Sequence, residues 1–109
     1  MPRFIVTGCY TAAAMKGMIA MPSDREAAAR AIVEGAGGTL ETFFMTTGPS
    51  DFMIVVSIDD VTDLLAGLIA VGGSGAVSGL QTIRAFSASE FTAMQKRAGE
   101  IAGAYKPPA

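Results

Sequence analysis

The sequence predicts an α+β fold in which a four-stranded antiparallel sheet carries two helices on one face. Two arms rich in Thr, Phe, Val and Ile flank a turn at Gly48–Asp51, a pattern typical of a β-hairpin. Residues 3–47 and 52–86 each predict a strand, a helix, paired glycines and a further strand. Two such βαβ units joined by a hairpin define the ferredoxin-like arrangement, to which this chain adds a C-terminal helix.

The elements of the first unit follow from composition and capping signals. Arg3–Tyr10 is rich in strand-forming residues, and Thr11 is a suitable N-cap for a short helix of Ala and Met. Ser23 and Glu26 have the spacing of a capping box, which predicts a helix that ends before Gly37. These signals predict strands at 3–10 and 39–47 and helices at 11–21 and 27–36.

The second unit carries the clearest helix signal in the chain. Asp59–Asp60 supplies an N-cap and negative charge, and the apolar residues of Val61–Ile69 follow at the spacing of one helix face. Ser87 and Glu90 form a second capping box, which opens the terminal helix. These signals predict strands at 52–58 and 77–86 and helices at 61–71 and 88–105, within one domain spanning 1–109 with its core at 3–86.

Composition restricts the classes of partner. Half of the 109 residues are hydrophobic and only 17% are charged, against about 25% in a typical globular protein. So apolar a small domain is expected to associate with copies of itself.

The net charge is −2 and the basic residues are scattered, so no nucleic-acid partner is expected. No apolar run is long enough to span a membrane and the N-terminus does not resemble a signal peptide, so we expect a cytoplasmic location.

The chemistry available to the chain is limited. It contains no histidine and a single cysteine, Cys9. The commonest general base and the commonest transition-metal ligand are therefore missing. We expect no metal site and no cofactor within one subunit.

The strands predict more apolar surface than two helices can cover. Strands 3–10 and 52–58 are apolar at both parities, whereas a strand covered on one side only should alternate apolar and polar residues. If both main helices lie on one face, the other face is bare unless the terminal helix wraps around it. We therefore predict that two subunits pack face to face through their sheets, as in a dimeric α/β barrel.

A series of residues in register resembles the GYD domain family of small bacterial proteins. The resemblance covers roughly residues 3–91. The family is similar in fold to the dimeric α/β barrels, and its members are largely of unknown function. The matching positions are Tyr10-Thr11, Pro22, Arg25, Gly37-Gly38, Phe43-Phe44, Thr47 to Asp51, and Thr82 to Phe86.

The chain departs from the family at the turn that names it. The family's turn is Gly, a variable residue, Tyr and Asp, whereas this chain has Gly48, Pro49, Ser50 and Asp51. Ser50 thus stands where the resemblance implies a tyrosine. Any activity carried by that phenol cannot be transferred to this chain.

The candidate site residues are polar or aromatic groups expected around the space between two facing sheets and at its mouth. Asp51 is a candidate base or ligand contact, but an Asp in such a turn more often binds backbone amides. Arg84 lies inside a strand, where it could pair with a carboxylate such as Glu41 or anchor an anionic ligand. The candidate ligand-binding residues are Thr7, Cys9, Tyr10, Phe44, Ser50, Asp51, Ser57 and Arg84.

Two of these candidates and a group of methionines also have structural interpretations. Cys9 is a reactive thiol only if a cationic neighbour lowers its pKa, and a buried inert cysteine is the more common case. Tyr10 could offer its phenol to a pocket or could simply pack. Met15, Met18 and Met21 suggest a flexible apolar flap over a pocket, although methionine is also ordinary core filler.

Three functions are compatible with this sequence. The first is a non-catalytic, self-associating domain that binds a small, largely apolar or anionic ligand between facing sheets. The second is a cofactor-independent enzyme of the monooxygenase or isomerase type, whose acid or base would come from the few polar candidates. The third is a purely structural oligomer. The sequence favours the first over the second, since it offers so few acid–base groups.

Overall fold

The computed structural model describes all 109 residues, and its elements follow the predicted order. None of its helices combines the length and the apolar character needed to cross a membrane. The strands are β1 Arg3–Tyr10, β2 Thr39–Met45, β3 Phe52–Ser57 and β4 Val77–Ala85, and the helices are α1 Ala12–Ala20, α2 Arg25–Gly35, α3 Val61–Gly73 and α4 Ala88–Ile101, followed by a 3-10 turn at Ala102–Ala104.

The four strands form one antiparallel sheet in the order β2-β3-β1-β4. This is the ferredoxin-like topology, so the predicted fold class is confirmed. Helices α2 and α3 contribute Val33 and Leu64 to a core formed with the sheet face they cover. The strand residues of that core are Phe4, Val6, Leu40, Phe52, Ile54, Val56 and Val77.

Side chains cap the N-termini of the helices, and the cap of α2 differs from the sequence prediction. Thr11 and Ser87 cap α1 and α4 as predicted, and Ser87 forms its capping box with Glu90. The predicted box at Ser23 is wrong, because α2 is capped by the carboxylate of Asp24, which accepts from the amide of Ala27 at 3.1 Å. The Ser23 hydroxyl instead accepts a hydrogen bond from the guanidinium of the nearby arginine.

The central hairpin is wider at its tip than the predicted four-residue turn. Strand β2 ends at Met45, two residues before the predicted boundary. The hydroxyl of Thr46 donates to the carbonyl of Ser50 at 2.6 Å, and its amide donates to the carbonyl of Asp51 at 2.8 Å. These bonds close a loop in which Gly48 has a φ of +93°, a conformation that favours glycine. The tip is thus a fixed six-residue loop.

The terminal helix does not fold back over the sheet. No residue of α4 is buried, and the chain measures 60 Å along its longest axis. Its radius of gyration is 17.9 Å, whereas a compact domain of this length would have about 13 Å. The helix is therefore an arm that projects from the domain, and one face of the sheet stays uncovered.

Two glycines near the end of α2 provide a test of this packing. A Cβ on Gly38 would lie 2.9 Å from the backbone oxygen of Ser57, whereas a Cβ on Gly35 would meet nothing within 4 Å. Gly38→Ala should therefore lower the free energy of unfolding by about 1–3 kcal/mol. Gly35→Ala should leave it unchanged or raise it by about 0.5 kcal/mol, because alanine favours the helix. Chemical denaturation of both variants checks this, and equal effects would contradict the close approach of Gly38, between α2 and β2, to the end of β3.

Candidate functional site

The face of the sheet opposite α2 and α3 leaves large apolar strand residues exposed. Strand pairing places the alternate side chains of all four strands on this face. Phe44 and Ile83, on the two edge strands, are 58% and 51% exposed. We call this surface the open face and define it by Ile5, Thr7, Phe44, Met53, Val55 and Ile83.

A charged pair lies at one end of the open face. The Nε of Arg3 donates to Oε2 of Glu41 at 2.9 Å, and the hydroxyl of Ser57 donates to the same oxygen at 2.5 Å. A β-bulge between Leu40 and Thr42 supplies the extra residue that brings Glu41 to this position. Ser57 is only 8% exposed, although no other element covers it, because these two side chains lie above it.

These contacts determine the protonation of Glu41. The hydrogen bond from Ser57, and then that from Arg3, stabilise the carboxylate and hold the pKa of Glu41 below its usual value. A carboxylate of this kind is a poor proton acceptor at neutral pH. The other shifted carboxylates, Asp60 and Glu90, also have a lowered pKa, each because of hydrogen bonds near a helix N-terminus. None of the three has the raised pKa expected of a general acid–base group in a pocket.

The hairpin tip fixes the end of β1. Oδ2 of Asp51 accepts a hydrogen bond from the amide of Tyr10 at 2.9 Å, and the amide of Asp51 donates to the carbonyl of Gly8 at 2.8 Å. The thiol of Cys9 lies 3.2 Å from the carbonyl of Pro49, to which it donates. Asp51 therefore binds a backbone amide, but that amide belongs to a neighbouring strand and not to its own turn.

The predicted site residues divide between the two faces of the sheet and the hairpin tip. Thr7, Phe44 and Ser57 lie on the open face, and the structure brings them within one continuous surface. Cys9, Ser50 and Asp51 gather at the tip, beyond the end of that surface. Tyr10 and Arg84 lie on the helix side, so Arg84 does not share with the others the space expected between two sheets.

The position of Arg84 follows from the register of β4. Arg84 pairs with Phe4, whose side chain is in the core, so both point to the helix side of the sheet. Its guanidinium lies 4.2 Å from the ring centre of Phe86 and 5.6 Å from that of Phe4. Its carboxylate partner is Glu90 at 4.0 Å and not Glu41. Arg84 thus joins the end of β4 to the start of α4.

Arg3 is the partner of Glu41, which the sequence did not predict. The bulge at residues 40–42 turns Glu41 to the open face beside Arg3, and strict alternation along β2 does not predict it. The signal that could have found it is an acidic residue in an otherwise apolar and Thr-rich strand, which requires a partner.

Fold and open face together define a ferredoxin-like α+β domain with one uncovered sheet surface. The chain belongs to the GYD domain family, since the GYD domain model matches residues 4–94. No protein of curated function matches the chain.

Several solved structures resemble the chain at low sequence identity. They include the crystal structure of FFRP-DM1, with 16% identity and a TM-score of 0.46 over 79% of this chain and 100% of that one. The hypothetical protein PHS023 from Pyrococcus horikoshii has 16% identity and a TM-score of 0.46, over 80% of this chain and 92% of that one. TTHA0845 from Thermus thermophilus has 18% identity and a TM-score of 0.47, over 81% of this chain and 96% of that one.

The lowered pKa of Glu41 predicts a pH dependence of stability. The carboxylate stabilises the fold fully above its unfolded pKa, near 4.5, and this contribution is lost as the pH falls through the lower folded pKa. Ser57→Ala removes the main cause of the shift and should shrink the loss of stability below that pH. Melting temperatures measured across the acid range at one protein concentration test this. Thr7→Ala, which removes a hydroxyl from the same face, is the control, and the prediction fails if the Ser57→Ala profile matches it.

Proposed function

We propose that this chain is a self-associating domain whose open face packs against that of a second copy, and that the space between the two sheets binds a small, largely apolar ligand. The observation that carries the proposal is that the sheet is apolar on both faces while its own helices cover only one. Large side chains such as Phe44 and Ile83 are more than half exposed in a single copy. Contiguous apolar surfaces of this kind are typical of interfaces or binding sites.

The open face is smaller than a typical stable protein interface. Four strands about 4.8 Å apart, with about six residues each, make a surface of roughly 20 by 20 Å, or about 400 Å² in projection. A stable interface buries about 800 Å² on each partner. The open face therefore supplies about half of the area needed.

The charges on the open face favour a second copy as the occupant. Arg3 and Glu41 neutralise each other at 2.9 Å, so the surface carries no net charge from this pair. Two copies related by a two-fold axis bring the same patch together, and a neutral apolar patch does so without repulsion. A partner of strongly acidic or basic character would find no complementary field here.

The terminal arm supplies the remaining contact area. One side of α4 carries large apolar residues, all of them exposed in a single copy because the helix lies away from its own domain. A helix with an apolar stripe is stable when another surface covers that stripe. We place this stripe against the second copy. Its residues are Phe91, Met94 and Ile101, and the exposed Tyr105 follows beyond the 3-10 turn.

The ligand would occupy the part of the inter-sheet space lined by both apolar and polar groups. Thr7 presents its hydroxyl among the side chains of Phe44, Met53 and Val55, and the pair of Arg3 and Glu41 lies at the end of this surface. Pockets for small molecules commonly have this mixture of apolar walls and a few polar groups. A purely structural oligomer is the alternative, and it predicts an inter-sheet space with no ligand.

An enzymatic function has less support from the geometry. Asp51 is engaged with the amide of Tyr10, and Glu41 is held as a carboxylate by two donors. Neither is a free base within a pocket. Ligand binding without chemistry requires only the apolar surface and its hydroxyls, which are the features the open face provides.

Ile83→Glu tests the association through the open face. A charge buried in an apolar interface without a partner should raise the dissociation constant by about 100-fold or more. Ile69→Glu is the matched control, because Ile69 is 75% exposed on α3, on the other side of the sheet. Sedimentation equilibrium should show dissociation of the first variant only. Equal association of both variants would contradict the proposed interface.

Removal of α4 tests the role of the arm. A chain ending after Ser87 should keep the sheet and its core, since no residue of α4 is buried. Its dissociation constant should rise by about tenfold or more, because the apolar stripe no longer contacts the second copy. Circular dichroism confirms folding, and sedimentation gives the constant. An unchanged constant would exclude α4 from the interface.

Thermal shift against a metabolite library separates the ligand-binding function from a purely structural one. A ligand held between two sheets stabilises the associated protein by mass action and should not stabilise the dissociated Ile83→Glu variant. A library without any compound that shows this difference would support the structural oligomer.

A further inference from the structure

The helix side of the sheet contains a second candidate site that the open face does not use. A cavity of about 120 Å³ lies between α2, α3 and the sheet. Of its 13 lining residues, 12 are hydrophobic, and they include Phe52, Leu68 and Leu80. The thirteenth is Arg25, at the start of α2.

Arg25 differs from the other arginines in its partners. Arg3, Arg30, Arg84 and Arg97 each lie 4.0 Å or less from a carboxylate. Arg25 contacts no carboxylate, and its one side-chain hydrogen bond runs from Nη1 to the hydroxyl of Ser23 at 3.1 Å.

The Nε of Arg25 is a donor that nothing in the chain satisfies. It is buried and makes no hydrogen bond. A buried donor of a charged group without a partner is costly, and most such groups in folded proteins are paired. An arginine that lines an apolar cavity and has no carboxylate partner within the chain is suited to bind the carboxylate of a ligand.

The short helix α1 borders a second space beside the cavity. This open space is lined by Tyr10, Met18, Met21 and Arg25, so Tyr10 and Arg25 separate the two spaces. Met18 and Met21 lie where the sequence suggested an apolar flap. Unbranched methionine side chains adapt readily to different shapes, which suits a surface that closes on a ligand.

We propose that this cavity binds a small monocarboxylate with an apolar tail, the carboxylate on the guanidinium of Arg25 and the tail between Phe52 and Leu68. An apolar cavity of about 150 Å³ in another protein holds benzene, so the space here suits a tail of about four to six carbons. Gly8 leaves room for the Phe52 ring that lines the cavity, because a Cβ at Gly8 would lie 2.7 Å from that ring. The site does not depend on the open face, since it lies on the other side of the sheet.

Binding of benzoate and hexanoate tests the site, measured by amide chemical-shift changes on isotope-labelled protein and titrated to give dissociation constants. Both should bind with millimolar or tighter affinity and shift the amides of cavity residues. Hexanol lacks the charge and acetate lacks the tail, so each should bind at least tenfold more weakly.

Two pairs of variants identify the contacts. Arg25→Gln should weaken hexanoate binding at least tenfold, whereas Arg30→Gln, on the same helix but paired with Glu26 at 3.0 Å, should not. Ala29→Leu fills the cavity wall and should also weaken binding, whereas Ala31→Leu, exposed on α2, should not.

The results also separate this proposal from the proposed association. Benzoate should bind the Ile83→Glu variant as it binds the unmodified chain, and Arg25→Gln should associate normally. If neither benzoate nor hexanoate shifts cavity amides at millimolar concentration, or if hexanol binds as well as hexanoate, the proposal is overturned.

Discussion

A sheet that is apolar on both faces, with helices on only one, is the constraint on which the structure depends. Val33 of α2 and Leu64 of α3 complete a core with the side chains of one face. The right-handed crossovers of both βαβ units place these two helices on the same side. The other face then keeps residues such as Phe44 and Ile83 in contact with solvent in a single copy. Association is the simplest way for such a chain to remove this surface from water.

The hairpin tip holds the end of β1 and, through Tyr10, contributes to the packing on the helix side of the sheet. Asp51 holds the amide of Tyr10, and the ring of Tyr10 packs against Phe52 with their centres 5.2 Å apart. Both rings line the helix-side cavity. The turn that names the family therefore acts here through a carboxylate and a backbone amide, and the serine at position 50 contributes its carbonyl to the closure of the loop.

Most of the fold could be predicted from the sequence because its signals are local. The stripe of α3, the capping box at Ser87 and Glu90, and the apolar strands each depend on residues close together in the chain. The cap of α2 was predicted one residue too early, because Ser23 and Asp24 are both good caps and the Ser23 hydroxyl instead accepts a hydrogen bond from Arg25.

The candidate site was less predictable, because faces and partners depend on register. The bulges in β2 and between β1 and β4 change which side chains share a face. Arg84 of β4 was expected between the sheets, but it lies on the helix side. The pairing of Arg84 with Glu90 and the unpaired Nε of Arg25 involve side-chain geometry that spacing alone does not encode.

The most direct test of this account is the mass of the unmodified chain in solution, measured by sedimentation equilibrium over a range of concentrations. The account predicts a multiple of the 11.2 kDa subunit mass that falls toward one subunit only on dilution. A mass of 11.2 kDa at every concentration would show that a single copy keeps its open face in water, and would contradict the central claim.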